Sequence, residues 1–111
     1  MNDEKGLRYN ANKLMFQLIP PEFEKGIAAV LTQGAKKYAS RNWELGLSMD
    51  ETSGSLKRHL NAYLGGETED IESKLHHMLH VAVNAMFLYI HDVRGIGRHD
   101  IPSHQNKKEE K

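Results

Sequence analysis

The sequence contains no cysteine, which excludes disulfides, thiolate zinc sites and cysteine nucleophiles. It has no excess charge of either sign, because 15 basic residues balance 15 acidic ones, and this disfavours binding to nucleic acid. The longest apolar stretch, 81–90, is interrupted by Asn84 and has about half the length of a membrane span. The first ten residues lack the apolar run of a signal peptide, so we expect a soluble, cytoplasmic protein that binds no membrane.

The composition is that of an ordinary globular protein. The 111 residues are 39% hydrophobic and 27% charged, and this length allows one compact domain. A domain of this size buries only a modest core. Pairing with a second copy would enlarge that core, so we expect a homo-oligomer.

Three segments repeat apolar residues at intervals of three or four, the period of an amphipathic helix. They predict helices at 21–38, 53–64 and 73–93. Strand-like alternation is not visible. We therefore expect an all-α fold of three main helices with an irregular N-terminal arm at 1–12.

Capping residues and glycines set the expected helix ends. Asp50 or Ser53 is the expected N-cap of the second helix, and Ser73 that of the third. Gly65-Gly66 ends the second helix, and Gly95 ends the third. These limits divide the chain into the arm, a helical domain at 13–95, and a polar, solvated C-terminal tail at 96–111.

An acidic cluster lies just before the third predicted helix. Glu67, Glu69, Asp70 and Glu72 fall within six residues, and clustered carboxylates are what Mg²⁺ or Mn²⁺ prefers. The same residues also suit a solvated acidic cap at the positive end of a helix. The glycine pair before them favours a site, because glycine lets the backbone bend closely around a ligand.

Polar residues form a stripe along the third predicted helix. His77, His80, Asn84 and His91 share one helical face beside the apolar one. Two imidazoles at i and i+3 can converge on a metal or a phosphate. The alternative is that these side chains cap carbonyls or face solvent.

Basic and aromatic residues complete the set that can bind a phosphorylated ligand. Arginine and lysine bind phosphate oxygens, although each here also fits an ordinary solvated helix face. An aromatic ring can stack on a nucleobase, although in so small a domain it is more often part of the core. The basic candidates are Lys36, Lys37, Arg41, Lys57 and Arg58, and the aromatic ones are Tyr38 and Trp43.

Four ordered segments carry a resemblance to a known family. They read KLMFQLIPPE, GAKKYASRNWELG, RHLNAYLGGETEDIES and HHMLHVAVNAMFL. Together they resemble the phage-encoded dATP/dGTP diphosphohydrolase N-terminal family, which is similar to the MazG-like all-α nucleotide pyrophosphohydrolases. The resemblance covers about residues 4–92. It implies a MazG-like helical nucleotide-binding domain, completed by oligomerisation, in the host cytoplasm if the protein is phage-encoded.

The resemblance also implies an activity and its residues. The activity is metal-dependent hydrolysis of a nucleoside triphosphate, with a purine deoxynucleotide as the expected substrate, to monophosphate and pyrophosphate. Mg²⁺ or Mn²⁺ would be held by Glu67, Asp70 and Glu72. The candidate catalytic residues are Glu67, Asp70, His77 and His80. The candidate substrate-binding residues are Lys37, Tyr38, Asn42, Trp43, Arg58, His59 and Asn84.

One departure from the MazG-like pattern supports an alternative. Those enzymes carry ExxE on one helix and ExxD on the next, whereas His77, His80 and Asn84 occupy the corresponding positions here. A pocket with few helix-borne carboxylates would bind a nucleotide and release it unchanged. The alternative is therefore a non-catalytic phage protein that sequesters a nucleotide, including a host-defence signalling nucleotide. A structural helical module without a ligand ranks third.

Overall fold

The computed structural model describes residues 12–104, which contain three long α-helices. These are α1 (Pro21–Tyr38), α2 (Met49–Leu64) and α3 (His77–Arg94). Single 3₁₀ turns at Phe16–Leu18 and Asn42–Leu45 precede α1 and α2. No β-sheet forms within the described part of the chain, so the all-α prediction is confirmed. The predicted arm at 1–12 lies, except for its last residue, outside the described residues.

Helix α1 has the bounds that its sequence predicts. Pro20 is extended, with φ −61° and ψ 134°, and Pro21 occupies the first turn, where its missing N–H leaves no hydrogen bond unmade. Helix α3 packs against both α1 and α2. A Cβ at Gly26 would collide with the side chain of Leu79, so glycine lets α1 approach α3 closely.

Helix α2 begins four residues earlier than predicted, and neither Asp50 nor Ser53 is its cap. Ser48 is the N-cap, and its hydroxyl oxygen accepts a hydrogen bond from the Glu51 N–H at 3.0 Å. Asp100 completes the cap, because its carboxylate accepts from the Ser48 hydroxyl at 2.6 Å and from the Asp50 N–H at 2.9 Å. The first turn is thus capped by the nearby Ser48 and by the distant Asp100, and the helix begins at Met49.

Helix α3 begins at His77 because Ser73 takes part in a turn and is not the cap. The Ser73 N–H donates to the Asp70 carboxylate at 2.7 Å, and Lys74 has a left-handed φ of 65°. His76 is the actual N-cap, and its Nδ1 accepts from the Met78 N–H at 3.0 Å.

Residues 95–101, which we call the strap, pack against the start of α2. The Arg98 N–H donates to the Leu47 carbonyl at 2.9 Å, and the Met49 N–H donates to the Arg98 carbonyl at 3.0 Å. The Leu47 N–H donates to Nε2 of His91, whose Nδ1–H reaches the Phe87 carbonyl at 2.7 Å. Over 96–101 the tail is therefore not the solvated extension that its composition predicts.

Several apolar side chains stay exposed on this small domain. Leu14 is 82% exposed and Phe16 73%, in the segment that leads into α1, and Leu64 and Ile71 are exposed near the end of α2. Met49 and Val83 are the fully buried hydrophobic residues among those described. None of the helices in the described part is long and apolar enough to cross a membrane.

Candidate functional site

A cleft with a volume of about 560 Å³ lies where the three helices meet the loop between α2 and α3. This volume is within the range of small-molecule sites, about 300–1,000 Å³. Eight of the predicted site residues line the cleft, namely Lys37 of α1, Arg58 and His59 of α2, Glu67, Asp70 and Glu72 of the loop, and His77 and His80 of α3. Val30, Gln33, Gly34 and Ser73 line it as well.

The loop between α2 and α3 is folded tightly, and this fixes Asp70. The Asp70 N–H donates to the Leu75 carbonyl at 2.9 Å, and the Lys74 N–H donates to the Asp70 carbonyl at 2.8 Å. The Gln33 side chain donates to the Ser73 carbonyl at 3.1 Å and so ties the loop to α1. The acidic segment is therefore a structured turn that presents Asp70 to the cleft.

Three histidines meet beside Asp70. Nδ1 of His59 lies 2.9 Å from Nδ1 of His77, and the rings of His59 and His80 are stacked with centroids 4.4 Å apart. Nε2 of His80 lies 2.7 Å from the hydroxyl of Ser73. That hydroxyl oxygen also accepts from the Leu75 N–H at 3.1 Å, so Ser73 links the start of the loop turn to His80.

Burial sets the charges in this cluster. Desolvation lowers the pKa of His59 and of His80 below the usual histidine value, so both rings are neutral at pH 7. Desolvation acts to raise the pKa of Asp70, but hydrogen bonds from Ser73 outweigh it, so the pKa is lowered and the carboxylate is ionised. Neutral imidazoles beside an ionised carboxylate are the protonation states that a metal site requires.

His77 is 3% exposed and one of its nitrogens is unsatisfied. Nε2 has no hydrogen-bond partner among the described residues. Oε2 of Glu67 approaches it to 3.4 Å, within ion-pair range but without hydrogen-bond geometry. A buried polar atom without a partner is rare in folded proteins and indicates a strained or ligand-binding position.

The structure gathers a different set of possible metal ligands from the predicted one. Among the described residues, His59, Asp70 and His77 are the group whose ligand atoms all lie within 4.8 Å of one another. Of the predicted ligands, only Asp70 belongs to this group. The Glu72 side chain is 86% exposed and lies 3.9 Å from the Lys37 ammonium. The cleft therefore fits a divalent cation, but with two nitrogen donors and one oxygen donor.

The two predicted phosphate-binding residues differ in their surroundings. Lys37 forms an exposed ion pair with Glu72. Arg58 is also exposed on the cleft wall, but it forms no ion pair with any residue in 12–104. Its guanidinium is thus available to an anionic ligand.

Four predicted substrate-binding residues are not among those that line the cleft. Tyr38 is exposed at the end of α1, and Asn42 begins the 3₁₀ turn that follows. Trp43 stacks on Phe87, with ring centroids 5.0 Å apart. The Asn84 amide donates to the His80 carbonyl at 2.9 Å and to the Ser55 hydroxyl at 3.3 Å, which joins α3 to α2.

Two cleft residues on α1 were not among the predicted site residues. Gln33 and Gly34 lie one turn before Lys37, so they share its helical face. This spacing relative to Lys37 would have predicted both residues. The function of Ser73 was misjudged as helix capping, because its bonds to Asp70 and His80 depend on the fold of the loop.

Comparison with known proteins agrees with the resemblance in the sequence. A dATP/dGTP diphosphohydrolase of Salmonella phage PMBT28 is 33% identical over 84 residues, which are 76% of this chain and 29% of that protein. The chain thus spans less than a third of the length of this relative. No solved structure matches, and the similarity to MazG-like enzymes stays a prediction. The family model described as dATP/dGTP diphosphohydrolase, N-terminal, matches residues 3–100, and the chain therefore belongs to this family.

Proposed function

We propose that the protein binds a nucleoside triphosphate in the cleft and hydrolyses it to the monophosphate and pyrophosphate in a metal-dependent reaction. The observation that carries this proposal is that one cleft joins the cations Lys37 and Arg58 to the metal-ligating cluster around Asp70. A polyphosphate bound to a metal needs both kinds of partner. The name of the phage relative supports purine deoxynucleotides, dATP and dGTP, as substrates.

Four polar side chains of the cleft, besides the candidate metal ligands, have a part in the proposed reaction. Arg58 binds phosphate oxygens through its guanidinium fork, and Lys37 adds a second positive charge at the rim. Glu67 and the neutral His80 are the candidate proton acceptors for the attacking water. A bound divalent cation would supply Lewis-acid stabilisation and lower the pKa of water.

The test is a product analysis with the purified chain. We expect dATP and dGTP to yield monophosphate and pyrophosphate in the presence of Mg²⁺, Mn²⁺ or Zn²⁺, and EDTA to stop the reaction. Chromatography of the nucleotides identifies which phosphate bond breaks. Release of orthophosphate and a diphosphate, or no turnover with any of the three metals, would contradict the proposal.

A second candidate function is binding without hydrolysis. Two observations favour it: the wall of the cleft on α2 and α3 holds no carboxylate, and the phage relative has most of its length outside the match. In this case the protein sequesters a nucleotide, such as a signalling nucleotide of host defence. Binding that persists in EDTA, with the ligand recovered unchanged, would distinguish this function from hydrolysis.

We also propose that the protein acts as a homo-oligomer in the cytoplasm, that of the host if a phage encodes it. The exposed apolar residues of 14–19 support assembly, because burying them removes apolar surface from water. Light scattering at micromolar concentration is expected to give a multiple of 12.7 kDa. A mass of one chain under these conditions would contradict oligomerisation.

A further inference from the structure

We infer that His59, His77 and Asp70 form a binding site for a transition-metal dication such as Zn²⁺, with Glu67 as the outer carboxylate that orients His77. The inference differs from the oxygen-ligated Mg²⁺ or Mn²⁺ site that the sequence predicts. The catalytic role of this metal site rests on the proposed function, whereas the binding of the metal does not.

The unsatisfied nitrogen of His77 is the first support. If Nδ1 of His77 donates to Nδ1 of His59, then Nε2 is a buried lone pair without a donor. If Nδ1 accepts instead, then Nε2–H is a buried donor without an aligned acceptor. Either tautomer leaves a buried polar group unpaired, which is unfavourable. A cation bound at Nδ1 lets Nε2 carry the proton and turn towards Glu67.

The position of Glu67 is the second support. Histidines that bind a metal commonly donate their other N–H to a carboxylate, which fixes the ring and its tautomer. Oε2 of Glu67 lies 3.4 Å from Nε2 of His77. The other ring nitrogen of His77, Nδ1, faces His59. The carboxylate and the imidazole of such a carboxylate–histidine–metal arrangement are therefore in place, with Nδ1 of His77 on the side of His59.

Distance and donor type indicate the class of metal. Zinc ligands lie about 2.0–2.1 Å from the ion, so neighbouring donors in a tetrahedral site are about 3.4 Å apart. The donors of this cluster are within 4.8 Å of one another, so binding requires the more distant donors to move closer together. Two imidazoles and one carboxylate suit Zn²⁺ and similar ions, whereas Mg²⁺ prefers oxygen donors. Three protein ligands also leave a coordination position open for water or phosphate, as in catalytic zinc sites.

The experiment measures metal binding without nucleotide, on the full chain without a polyhistidine tag. Calorimetric titration is expected to show one Zn²⁺ per chain, bound at least about 100-fold more tightly than Mg²⁺. His59→Gln and Asp70→Asn should each weaken Zn²⁺ binding by at least about tenfold, and Glu67→Gln by about tenfold. The exposed His104→Gln is the matched control and should bind as the parent does. Circular dichroism checks that each variant folds. His59 and Asp70 are less buried than His77, so their variants decide the test if His77→Gln does not fold.

The result that overturns the inference is Zn²⁺ binding no tighter than that of Mg²⁺, or equal Zn²⁺ binding by the parent, His59→Gln and Asp70→Asn. The outcome is independent of the proposed function. A zinc site without any nucleotide turnover supports the inference and contradicts the enzyme. Turnover with Mg²⁺ in a chain that does not bind Zn²⁺ supports the proposed enzyme and contradicts the inference.

Discussion

Arg58→Ala is expected to weaken nucleotide binding by at least about tenfold, which corresponds to about 1.5 kcal/mol. Arg58 lines the cleft and forms no ion pair with any described residue, so its guanidinium can bind phosphate without first giving up a partner. Hydrogen bonds between charged groups contribute about 1.5–3 kcal/mol. Equilibrium titration with dATP and dGTP measures the effect.

Two variants on the same helix serve as controls for Arg58→Ala. Lys57→Ala removes one positive charge from a neighbouring exposed position that is not part of the cleft lining, and it should change the affinity by less than about twofold. Arg58→Lys keeps the charge but loses the bidentate fork, so its affinity should fall between those of the parent and Arg58→Ala. Equal affinities for Arg58→Ala and Lys57→Ala would mean that phosphate does not bind at Arg58.

Gly97→Ala is expected to lower the free energy of unfolding by about 3 kcal/mol or more. Gly97 has a left-handed φ of 81°, which costs a residue with a Cβ about 1–2 kcal/mol. The added methyl group would also collide with the ring of His91 and with the Leu47 carbonyl. The His91 ring accepts from the Leu47 N–H, and the Leu47 carbonyl accepts from the Arg98 N–H of the strap, so the collision would weaken the contact between the strap and the start of α2. Urea denaturation followed by circular dichroism measures the loss.

Gly95→Ala separates the two causes of that loss. Gly95 has a similar φ of 67°, but a Cβ there meets no atom within 4 Å. The variant therefore reports the backbone cost alone, about 1–2 kcal/mol. If Gly97→Ala is no less stable than Gly95→Ala, the strap does not pack on His91 in solution.

Sequence patterns predicted several helix ends that are determined by neighbouring residues. The bounds of α1 follow from a proline pair and a regular apolar period, both of which act within a few residues. The start of α2 was missed although a local signal exists, because Ser48 and Glu51 have the Ser-x-x-Glu spacing of a capping box. Only the contribution of Asp100, 52 residues from Ser48, could not be read from the sequence. The start of α3 was missed because Ser73 bonds to Asp70 in a turn whose shape depends on contacts with α1.

The candidate site was also predicted only in part, because some of its contacts depend on how the helices pack. The resemblance named eight residues that the fold does bring to one cleft, although they come from α1, α2, the loop and α3. Spacing alone could not pair His59 with His77, because 18 residues and a turn separate them. The sequence left open whether Trp43 stacks on a nucleobase or belongs to the core, because its stacking partner Phe87 lies on α3, and only the packed helices bring the two rings together.

The strap also fixes α2 relative to α3 at the end of the pair that lies away from the cleft. It pins the first turn of α2 to the last turn of α3 through backbone hydrogen bonds and the buried ring of His91. At their other ends α2 and α3 are connected through the exposed loop that carries Asp70. The pair is therefore fastened at both ends, by the loop beside the cleft and by the strap at the opposite end, so the separation of His59 on α2 from His77 on α3 depends on residues 95–101 as well as on the loop.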